Sequence, residues 1–333
     1  MITYDDYVLL IRALAEKKER PLESLTKQLE ISEEETLVLL NKLIDIGLPL
    51  VISSDSKKNS LLELKSKPDV YAKHEIVSKL SSEINCNSVD LSLFVSIDST
   101  NTYLKNISNA ENKLLICIAD QQTHGRGRRG KTWLASFGSN ICFSLRQRLA
   151  LSPVVSTGAS LVAGLSIVKA LSALGYDELE IKWPNDIYCS NKKLGGVLIE
   201  VVGIKPDSIE LIIGVGLNVL MPEANEIDQP WIDLKQITAG ELPSRNIIVV
   251  TIINQLVADM RLFESQGLSV FMDDWAQYDY LFGKQITVKQ ESGDISGKAV
   301  GLSQTGELKV EFESRTKIIN AGEVSVRLEE KVS

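Results

Sequence analysis

A short basic and glycine-rich segment has the residue types and spacing that most directly suggest chemistry. Residues 125–132 read GRGRRGKT, so that three glycines alternate with four cationic residues, Arg126, Arg128, Arg129 and Lys131. Glycines allow the backbone to approach a ligand closely, and so many like charges in one loop repel each other unless an anion lies among them. We therefore expect this loop to close over an anionic small molecule.

By residue pattern alone, the same segment matches two nucleotide-binding motifs, G-x-x-x-x-G-K-S/T and G-x-G-x-x-G. Both motifs need a helix directly after the loop, because the helix N-terminus provides part of the phosphate binding. Residues 132–140 read TWLASFGSN and lead into the β-like run Ile141–Leu145 instead. A dinucleotide site also needs an acidic residue about 20 positions further on, and none stands there. The loop is therefore assigned to neither motif, and it lacks the interleaved aromatic residues of a basic RNA-binding arm.

Polar residues and glycines at the ends of predicted strands supply partners for this loop. Ser99–Asn101 (STN) and Gln122 offer hydroxyl and amide groups, and Lys182–Asp186 (KWPND) places a carboxylate beside an amide. Residues 192–200 (KKLGGVLIE) and 214–219 (GVGLNV) read as strands whose glycines leave room for a ligand against the backbone. Taken alone, STN is also compatible with a helix cap and KWPND with a tight turn. Their combination with a basic loop favours a binding site for a polar, anionic molecule.

In this order and spacing, STN, QxxGRGRRGKxW, KWPND, KKLGGVLIE and GVGLNV resemble the biotin–protein ligase family, most strongly over about residues 90–220. The N-terminal region resembles the bifunctional subgroup that also represses the biotin operon. The resemblance implies an ATP-dependent biotin–acetyl-CoA-carboxylase ligase, which forms biotinyl-5'-AMP and transfers biotin to a lysine of a biotin carboxyl carrier protein. It further implies Mg²⁺ bound together with ATP, operator DNA as a partner, and a homodimer when the adenylate is bound.

The resemblance also implies roles for individual residues. Lys193, Arg128 and Asp186 would be catalytic: Lys193 would meet the bridge between carboxylate and phosphate, and Asp186 with Asn185 would orient Mg²⁺ or the acceptor amine. A carboxylate near that amine can also take its proton, and Asp186 is the candidate for this role. Cations help most in a step that joins a carboxylate to a polyphosphate. The biotin-binding residues would be Ser99, Thr100, Asn101, Gln122, Gly125, Arg126, Gly127, Arg128, Lys193, Gly195 and Gly196. The residues for ATP or the adenylate would be Arg126, Arg128, Arg129, Lys131, Trp133, Asn185, Lys193, Asn218 and Trp231, with no metal ligand firmly assigned.

Three units are expected to position these residues. Apolar spacing predicts helices over 4–17, 22–30 and 36–46, and Ser32 with Glu35 reads as a capping box for the third. Strands are predicted over 50–53 and 61–65, and three helices plus a hairpin are typical of a winged helix-turn-helix. The predicted units are a winged helix-turn-helix over 1–67, a catalytic domain over 68–282 and a C-terminal domain over 283–333.

The catalytic unit reads as an α+β fold, in which strands follow one another and helices are inserted at few points. The resemblance implies a central mixed sheet with helices, the class II synthetase-like fold of biotin ligases. After Gly283 the pattern changes to short strands separated by turns, which favours a small β-barrel of SH3 type. The predicted strands are 91–97, 114–119, 141–145, 179–183, 194–202 and 209–219, and the predicted helices are 154–174 and 247–264.

Charge bears on the second expected function, DNA binding. The chain has 36 Lys and Arg against 44 Asp and Glu, a net charge of −8, which disfavours indiscriminate coating of nucleic acid. The candidate DNA contacts are weak, because three glutamates, Glu33–Glu35, follow the capping residue Ser32 of the third helix, and phosphates repel them. These candidate contacts are Ser32, Thr36, Lys42, Lys57 and Lys58.

Other features predict a cytoplasmic protein. Its four cysteines, Cys86, Cys117, Cys142 and Cys189, are scattered and predict free thiols, and no signal peptide or run of about 18 apolar residues is recognised. Three alternatives stay open: a ligase that has lost DNA binding, a lipoate–protein ligase, and a transcription factor that senses biotin without catalysis.

Overall fold

The computed structural model describes residues 3–16, 19–54, 60–109, 111–151, 158–222, 226–238, 240–290, 293–313, 315–321 and 325–328. Within these residues the N-terminal part consists of three helices and a small antiparallel sheet with the strand order β1-β3-β2. The helices are α1 (Tyr4–Ala15), α2 (Leu22–Leu29) and α3 (Glu33–Asp45), and the strands are β1 (Arg20–Pro21), β2 (Leu50–Ser54) and β3 (Ser60–Leu64).

The predicted start of the third helix is confirmed in its chemistry and corrected in its position. Ser32 accepts a hydrogen bond from the Glu35 backbone and the Glu35 side chain bonds back to the Ser32 backbone, which is the expected capping box. A capped helix begins at the residue after its cap, so that α3 starts at Glu33 rather than at 36. The three carboxylates therefore lie on the first turn, where the helix dipole favours them.

The centre of the molecule is a seven-stranded mixed sheet in the order β4-β5-β6-β10-β9-β8-β7, in which β4 and β5 are parallel and the other neighbours antiparallel. This confirms the mixed α+β architecture. The strands are β4 (Val89–Phe94), β5 (Leu114–Ala119), β6 (Asn140–Leu149), β7 (Leu179–Lys182), β8 (Asp186–Cys189), β9 (Lys192–Lys205) and β10 (Ser208–Asn218). The associated helices are α4 (Lys73–Ser78), α5 (Thr100–Asn106), α6 (Ala159–Ala173), α7 (Leu234–Ile237), α8 (Arg245–Gln266) and α9 (Met272–Tyr278).

Strand β5 shows why a continuous apolar run is needed at the middle of this sheet. Ile116 and Ile118 belong to the main core, whereas Leu115 and Cys117 pack in a separate cluster with Leu104 of α5. A strand whose side chains are buried on both faces cannot alternate apolar and polar residues. The sheet is thereby fixed between helices, and the polar ends of its strands are left to form the site.

The C-terminal part is a five-stranded antiparallel sheet in the order β14-β13-β12-β11-β15. It contacts the central unit close to the KWPND turn, where the Trp183 indole N–H donates to the Gly306 carbonyl at 3.0 Å. The strands are β11 (Gln285–Lys289), β12 (Ile295–Leu302), β13 (Leu308–Phe312), β14 (Arg315–Ile319) and β15 (Ser325–Leu328).

A buried polar cluster joins the N-terminal helices to the central unit. The Tyr4 hydroxyl donates to the Asp120 carboxylate at 2.8 Å, and Arg245 donates to the same carboxylate at 2.6 Å. Tyr4 also accepts from the Tyr71 backbone N–H at 3.0 Å. Asp120 directly follows β5, two residues before Gln122, so this contact fixes the N-terminal part next to a predicted site residue.

Among the described residues, one helix is long and apolar enough by composition to span a membrane, namely α8. Its most apolar window is 61% buried, and it packs against α6. Core helices pass the same test, so that this helix is only weak support for a membrane span.

Candidate functional site

A cavity of about 940 Å³ lies where the polar ends of the central strands meet the 125–133 loop and the C-terminal sheet. Most of the residues singled out from the sequence line it, although they come from six separate segments of the chain. These are Ser99, Thr100, Asn101, Gln122, Arg126, Gly127, Arg128, Arg129, Lys131, Trp133, Asn185, Asp186, Lys193, Gly196, Asn218 and Trp231.

Gly125 and Gly195, both expected to bind biotin, are not among the residues that line the cavity. A side chain at Gly125 would meet the Trp133 carbonyl oxygen at 2.4 Å, and one at Gly195 would meet the Gly216 carbonyl oxygen at 2.6 Å. Both positions therefore need glycine because neighbouring backbone packs on them. Their contact with biotin stays a prediction.

The glycines of β10 line the cavity, and they also make room for two protein side chains. A side chain on Gly214 would lie 2.2 Å from the Asn101 amide oxygen, and one on Gly216 would lie 2.5 Å from the Trp133 ring. The space that these two glycines leave is filled by the two protein side chains. The strand thus accommodates Asn101 and Trp133 closely against the sheet, where both line the cavity.

The floor of the cavity is a connected set of buried hydroxyl and amide groups. Ser99 caps α5, and Ser99, Thr100 and Asn101 are each 3% exposed. The Gln122 amide oxygen accepts from Thr100 N at 2.8 Å and from Thr100 Oγ1 at 3.1 Å. Ser144, which the sequence did not single out, lies 2.6 Å from Thr100 Oγ1 and 2.5 Å from Asn101 Oδ1. This surface presents donors and acceptors in fixed positions for a polar group.

The basic loop has the form of a tight hairpin. Gly127 N donates to the Lys131 carbonyl at 2.7 Å, and Trp133 N donates to the Gly125 carbonyl at 2.9 Å. A single helical turn of 3-10 type covers Arg128–Gly130 and no α-helix follows, which confirms that neither nucleotide motif applies. All four cations of the hairpin line the cavity.

Two arginines of the loop have different surroundings. Arg128 donates to the Asn185 amide oxygen at 3.1 Å and to the Ala321 carbonyl of the C-terminal part, so that it connects the loop to two other segments. Burial lowers the pKa of the Arg128 guanidinium, and the charge of Asp186 acts against that shift. Arg126 is more exposed and forms an ion pair with Glu200 at 2.9 Å.

Lys193 and Asp186 form an ion pair inside the cavity. Lys193 Nζ lies 2.8 Å from Asp186 Oδ1 and 5.9 Å from the centre of the Trp133 ring. The backbone of Lys193 is held by Pro230 and Ile232, through hydrogen bonds of 3.0 Å each. The position of this lysine is therefore fixed by its own strand and by the segment that carries Trp231.

Asn218 and Asn185 both line the cavity, but their amide groups bind the protein. Asn218 Nδ2 donates to the Ile232 carbonyl at 3.1 Å, and its Oδ1 accepts from Asn140 at 3.1 Å. Asn185 Nδ2 donates to the Val197 carbonyl, while its Oδ1 accepts from Arg128. In this structure both asparagines position neighbouring residues.

Lys182, the first residue of the KWPND motif, is a cavity cation that was not assigned a role from the sequence. It lies 5.2 Å from the centre of the Tyr188 ring and donates to the Tyr188 hydroxyl at 3.4 Å. Burial lowers the pKa of the Lys182 ammonium, and the Asp186 carboxylate partly offsets the shift. Its place in the KWPND motif could have identified it from the sequence, because Asn185 and Asp186 of the same strand end were already assigned to the site.

Among the lining residues that the structure describes, seven are Lys or Arg and three are Asp or Glu. This surplus of cations suits a ligand that carries several negative charges. Among the same described residues, no group of three or more His, Cys, Asp or Glu side chains is placed to hold a metal ion. The Mg²⁺ that the resemblance implies stays a prediction.

The candidate DNA contacts are only partly available. Thr36 is buried and its hydroxyl donates to the Ser32 carbonyl at 2.8 Å, so its side chain cannot reach a partner from this position. The Ser32 hydroxyl is used in the capping box, whereas Lys42 is exposed on α3. Lys57 and Lys58 lie outside the described residues.

Comparisons with known proteins agree with the geometry. The model of the biotin/lipoate A/B protein ligase family matches residues 93–218, and that of the biotin protein ligase C-terminal domain matches residues 281–327. The bifunctional ligase/repressor BirA of Escherichia coli is 35% identical over 237 residues, which are 71% of this chain and 73% of that protein. A biotin–[acetyl-CoA-carboxylase] ligase of Mycobacterium tuberculosis is 32% identical over 223 residues, 65% of this chain and 80% of that protein. A solved biotin protein ligase of Aquifex aeolicus in complex with biotin and ATP superposes with a TM-score of 0.61 at 30% identity, over 72% of this chain and 99% of that one.

Proposed function

This chain belongs to the biotin protein ligase family, and from that premise we propose that its cavity joins biotin to AMP and then passes biotin to a lysine of a carrier protein. The observation that supports this most directly is the surplus of cations around one cavity beside a floor of hydroxyl and amide groups. The cations suit a carboxylate and a triphosphate, and the floor suits the neutral ureido ring of biotin. ATP and biotin are the substrates, and the acceptor is the carboxyl carrier protein of acetyl-CoA carboxylase.

The first step needs two anions to approach each other. Lys193 and Arg128 both line the cavity, one from β9 and the other from the loop. Cations fixed in position before the reaction stabilise the charge that develops as the biotin carboxylate attacks the α-phosphate. Ser99, Thr100 and Gln122 would hold the ureido end, so that the carboxylate points toward these cations.

The adenine end and the metal need separate assignments. Trp133 and Trp231 offer ring faces at the cavity wall, and we assign Trp231 to stack on adenine. Mg²⁺ generally binds one or two carboxylates together with substrate phosphates and waters. Among the described residues no group of three or more His, Cys, Asp or Glu side chains could hold such an ion alone, so we infer that magnesium arrives with ATP.

The second step needs a neutral amine from the acceptor lysine, whose usual pKa of about 10.4 keeps it protonated near neutral pH. Asp186 is the carboxylate we assign to accept that proton. Its partner Lys193 would turn toward the bound anion, which would release the Asp186 oxygen for the amine.

A single assay tests the proposed function. The protein is mixed with ATP, biotin and a carrier domain, and the carrier is examined for the mass of one added biotin. Reactions without ATP, and with lipoate in place of biotin, serve as controls. Addition of lipoate instead of biotin would identify a lipoate–protein ligase, and no addition at all would favour a non-catalytic biotin sensor.

We also propose that residues 1–67 form a winged helix-turn-helix that binds operator DNA when the adenylate is present. Support comes from the three helices with a small sheet, from the exposed Lys42 on α3, and from the bifunctional ligase/repressor name of the Escherichia coli relative. The catalytic unit would cover 68–282 and an SH3-like barrel 283–333. Salt-dependent DNA binding and a monomer-to-dimer change on addition of biotin and ATP are the measurements; their absence would indicate a ligase without repressor function.

A further inference from the structure

Glu200 of β9 joins the basic loop to the floor of the cavity. One carboxylate oxygen, Oε2, accepts from the Asn101 amide at 2.8 Å and from the Arg126 guanidinium at 2.9 Å. Arg126 lies on the loop and Asn101 on α5, 74 and 99 residues away from Glu200 in sequence. Glu200 does not itself line the cavity, so any effect on the ligand has to pass through these two partners.

Burial and distance identify Arg126 as the main ionic partner. The Glu200 side chain is 20% exposed, whereas Arg126 is 44% exposed. Lys105 is the other cation near the carboxylate, but it lies 4.0 Å away and is 56% exposed. An ion pair that shares an oxygen with a second hydrogen bond is geometrically restricted, and it holds the first arginine of the loop toward the sheet.

The Asn101 side of this contact continues into the floor. Asn101 Oδ1 lies 2.5 Å from Ser144 Oγ, which lies 2.6 Å from Thr100 Oγ1. Thr100 in turn donates to Gln122 through its backbone and its hydroxyl. A continuous polar chain therefore runs from the loop arginine through Glu200 to the amide at the far side of the site.

We propose that Glu200 is a positioning residue that couples the closed conformation of the basic loop to the polar floor of the binding site. This inference rests on the proposed function for the identity of the ligand. The contacts of Glu200 with Asn101 and Arg126 do not depend on that assignment. When the carboxylate is in place, the loop is held near its closed position before substrate arrives, which reduces the ordering cost of binding. When the charge is removed, Asn101 keeps an acceptor but Arg126 loses its ionic partner.

Glu200→Gln is the variant that separates these two interactions. A glutamine amide oxygen still accepts from Asn101, so that the floor keeps its geometry while the charge–charge attraction to Arg126 is lost. Glu75→Gln is the matched control, because Glu75 forms a surface ion pair with Lys79 on α4, away from the cavity. Both variants lose one negative charge, and melting temperatures verify that both fold.

The first measurement uses the ligand-free protein and trypsin. Cleavage at the Arg128–Arg129 bond reports how often the loop opens, since a protease cuts the opened state. We expect Glu200→Gln to be cut about 2- to 5-fold faster than wild type, on the scale of a partly exposed ion pair, and Glu75→Gln to match wild type. Arg126→Gln should give the same increase, and the double variant should add nothing further.

The second measurement follows ligand retention. Release of preformed biotinyl-adenylate should accelerate in Glu200→Gln by a similar factor, with KM for biotin raised and kcat changed less. Glu200→Asp keeps the charge and should recover part of the loss. A defect of general folding would instead lower the melting temperature and would not respond to this conservative change.

The outcomes separate this inference from the proposed function. If wild type retains biotinyl-adenylate while Glu200→Gln matches it in both cleavage and release, the coupling role of Glu200 is wrong and the ligase assignment stands. Additive effects of Glu200→Gln and Arg126→Gln on the rate of trypsin cleavage would also overturn it. If wild type retains no adenylate, the proposed function fails, and the cleavage measurement still decides whether Glu200 holds the loop.

Discussion

The Lys193 ammonium lies 2.8 Å from the Asp186 carboxylate, across the register shift that interrupts the β8–β9 pairing. Asp186 is the first residue of β8 and Lys193 the second residue of β9, and both side chains line the cavity. Because each group neutralises the other, neither is left as an isolated charge before substrate binds. An anion that attracts Lys193 would free Asp186, which links the two proposed steps through one pair.

Asp186→Asn should impair the transfer step more than adenylate formation. The amide cannot accept the proton of the acceptor lysine, and a positioned general base usually contributes about 10²- to 10⁴-fold. Preformed biotinyl-adenylate is mixed with carrier domain, and transfer is followed in a single turnover. Transfer at the wild-type rate would exclude Asp186 as the base.

Arg128→Gly should weaken retention of the adenylate. Arg128 binds Asn185 and the Ala321 carbonyl, so the change removes a cavity cation and also the contact between the loop and the C-terminal part. Hydrogen bonds to charged groups contribute about 1.5–3 kcal/mol, which corresponds to release about 10- to 100-fold faster. Stopped-flow release of biotinyl-adenylate measures this, and an unchanged rate would contradict the role of the loop in closure.

Local sequence patterns predicted much of this fold. The apolar run LLICIA predicted a buried strand and Ser32 with Glu35 predicted a helix start, because both depend on neighbours within a few residues. Helix α5 was not predicted, since its seven residues have little apolar periodicity and owe their helical form to the Ser99 cap and to burial of Leu104. Short helices of this kind are determined by tertiary packing.

The sequence identified many of the site residues but not the contacts between them. The glycines of β10 were expected to leave room for a ligand, and in the structure Asn101 and Trp133 lie against them. Likewise, nothing local connects Arg126 with Glu200, which lies 74 residues further along the chain. Contacts between strands that are distant in sequence depend on sheet order, and a single sequence does not specify that order.

Lys182→Met should stabilise the protein at neutral pH and weaken its use of ATP. The Lys182 ammonium is partly buried beside Tyr188, and burial lowers its pKa, so that the folded state disfavours the charged form. Its removal should raise the free energy of unfolding by about 1 kcal/mol. Loss of a cavity cation should raise KM for ATP about tenfold, on the scale of one charged hydrogen bond.

The pH dependence of that stability gives a second test of Lys182. A lysine with a lowered pKa binds fewer protons when folded, so wild-type stability should rise with pH between the folded pKa and the usual value near 10.4. The gap between Lys182→Met and wild type should therefore be widest at neutral pH and narrower at pH 10. Urea unfolding at both pH values measures it, and a gap that is constant would show that burial of the charge is not its cause.

Tyr4→Phe should loosen the attachment of the N-terminal part. The hydroxyl donates to Asp120 at 2.8 Å and accepts from Tyr71 N at 3.0 Å, and both interactions are buried. Removing one partner of buried hydrogen bonds costs about 1–3 kcal/mol, while the phenyl ring keeps its packing. Hydrogen exchange should show faster exchange at α1 and at the Tyr71 amide, with little change in β11–β13. Uniform acceleration in all three places would instead indicate a global loss of stability, and the cluster would then have no local role in holding α1 beside the site.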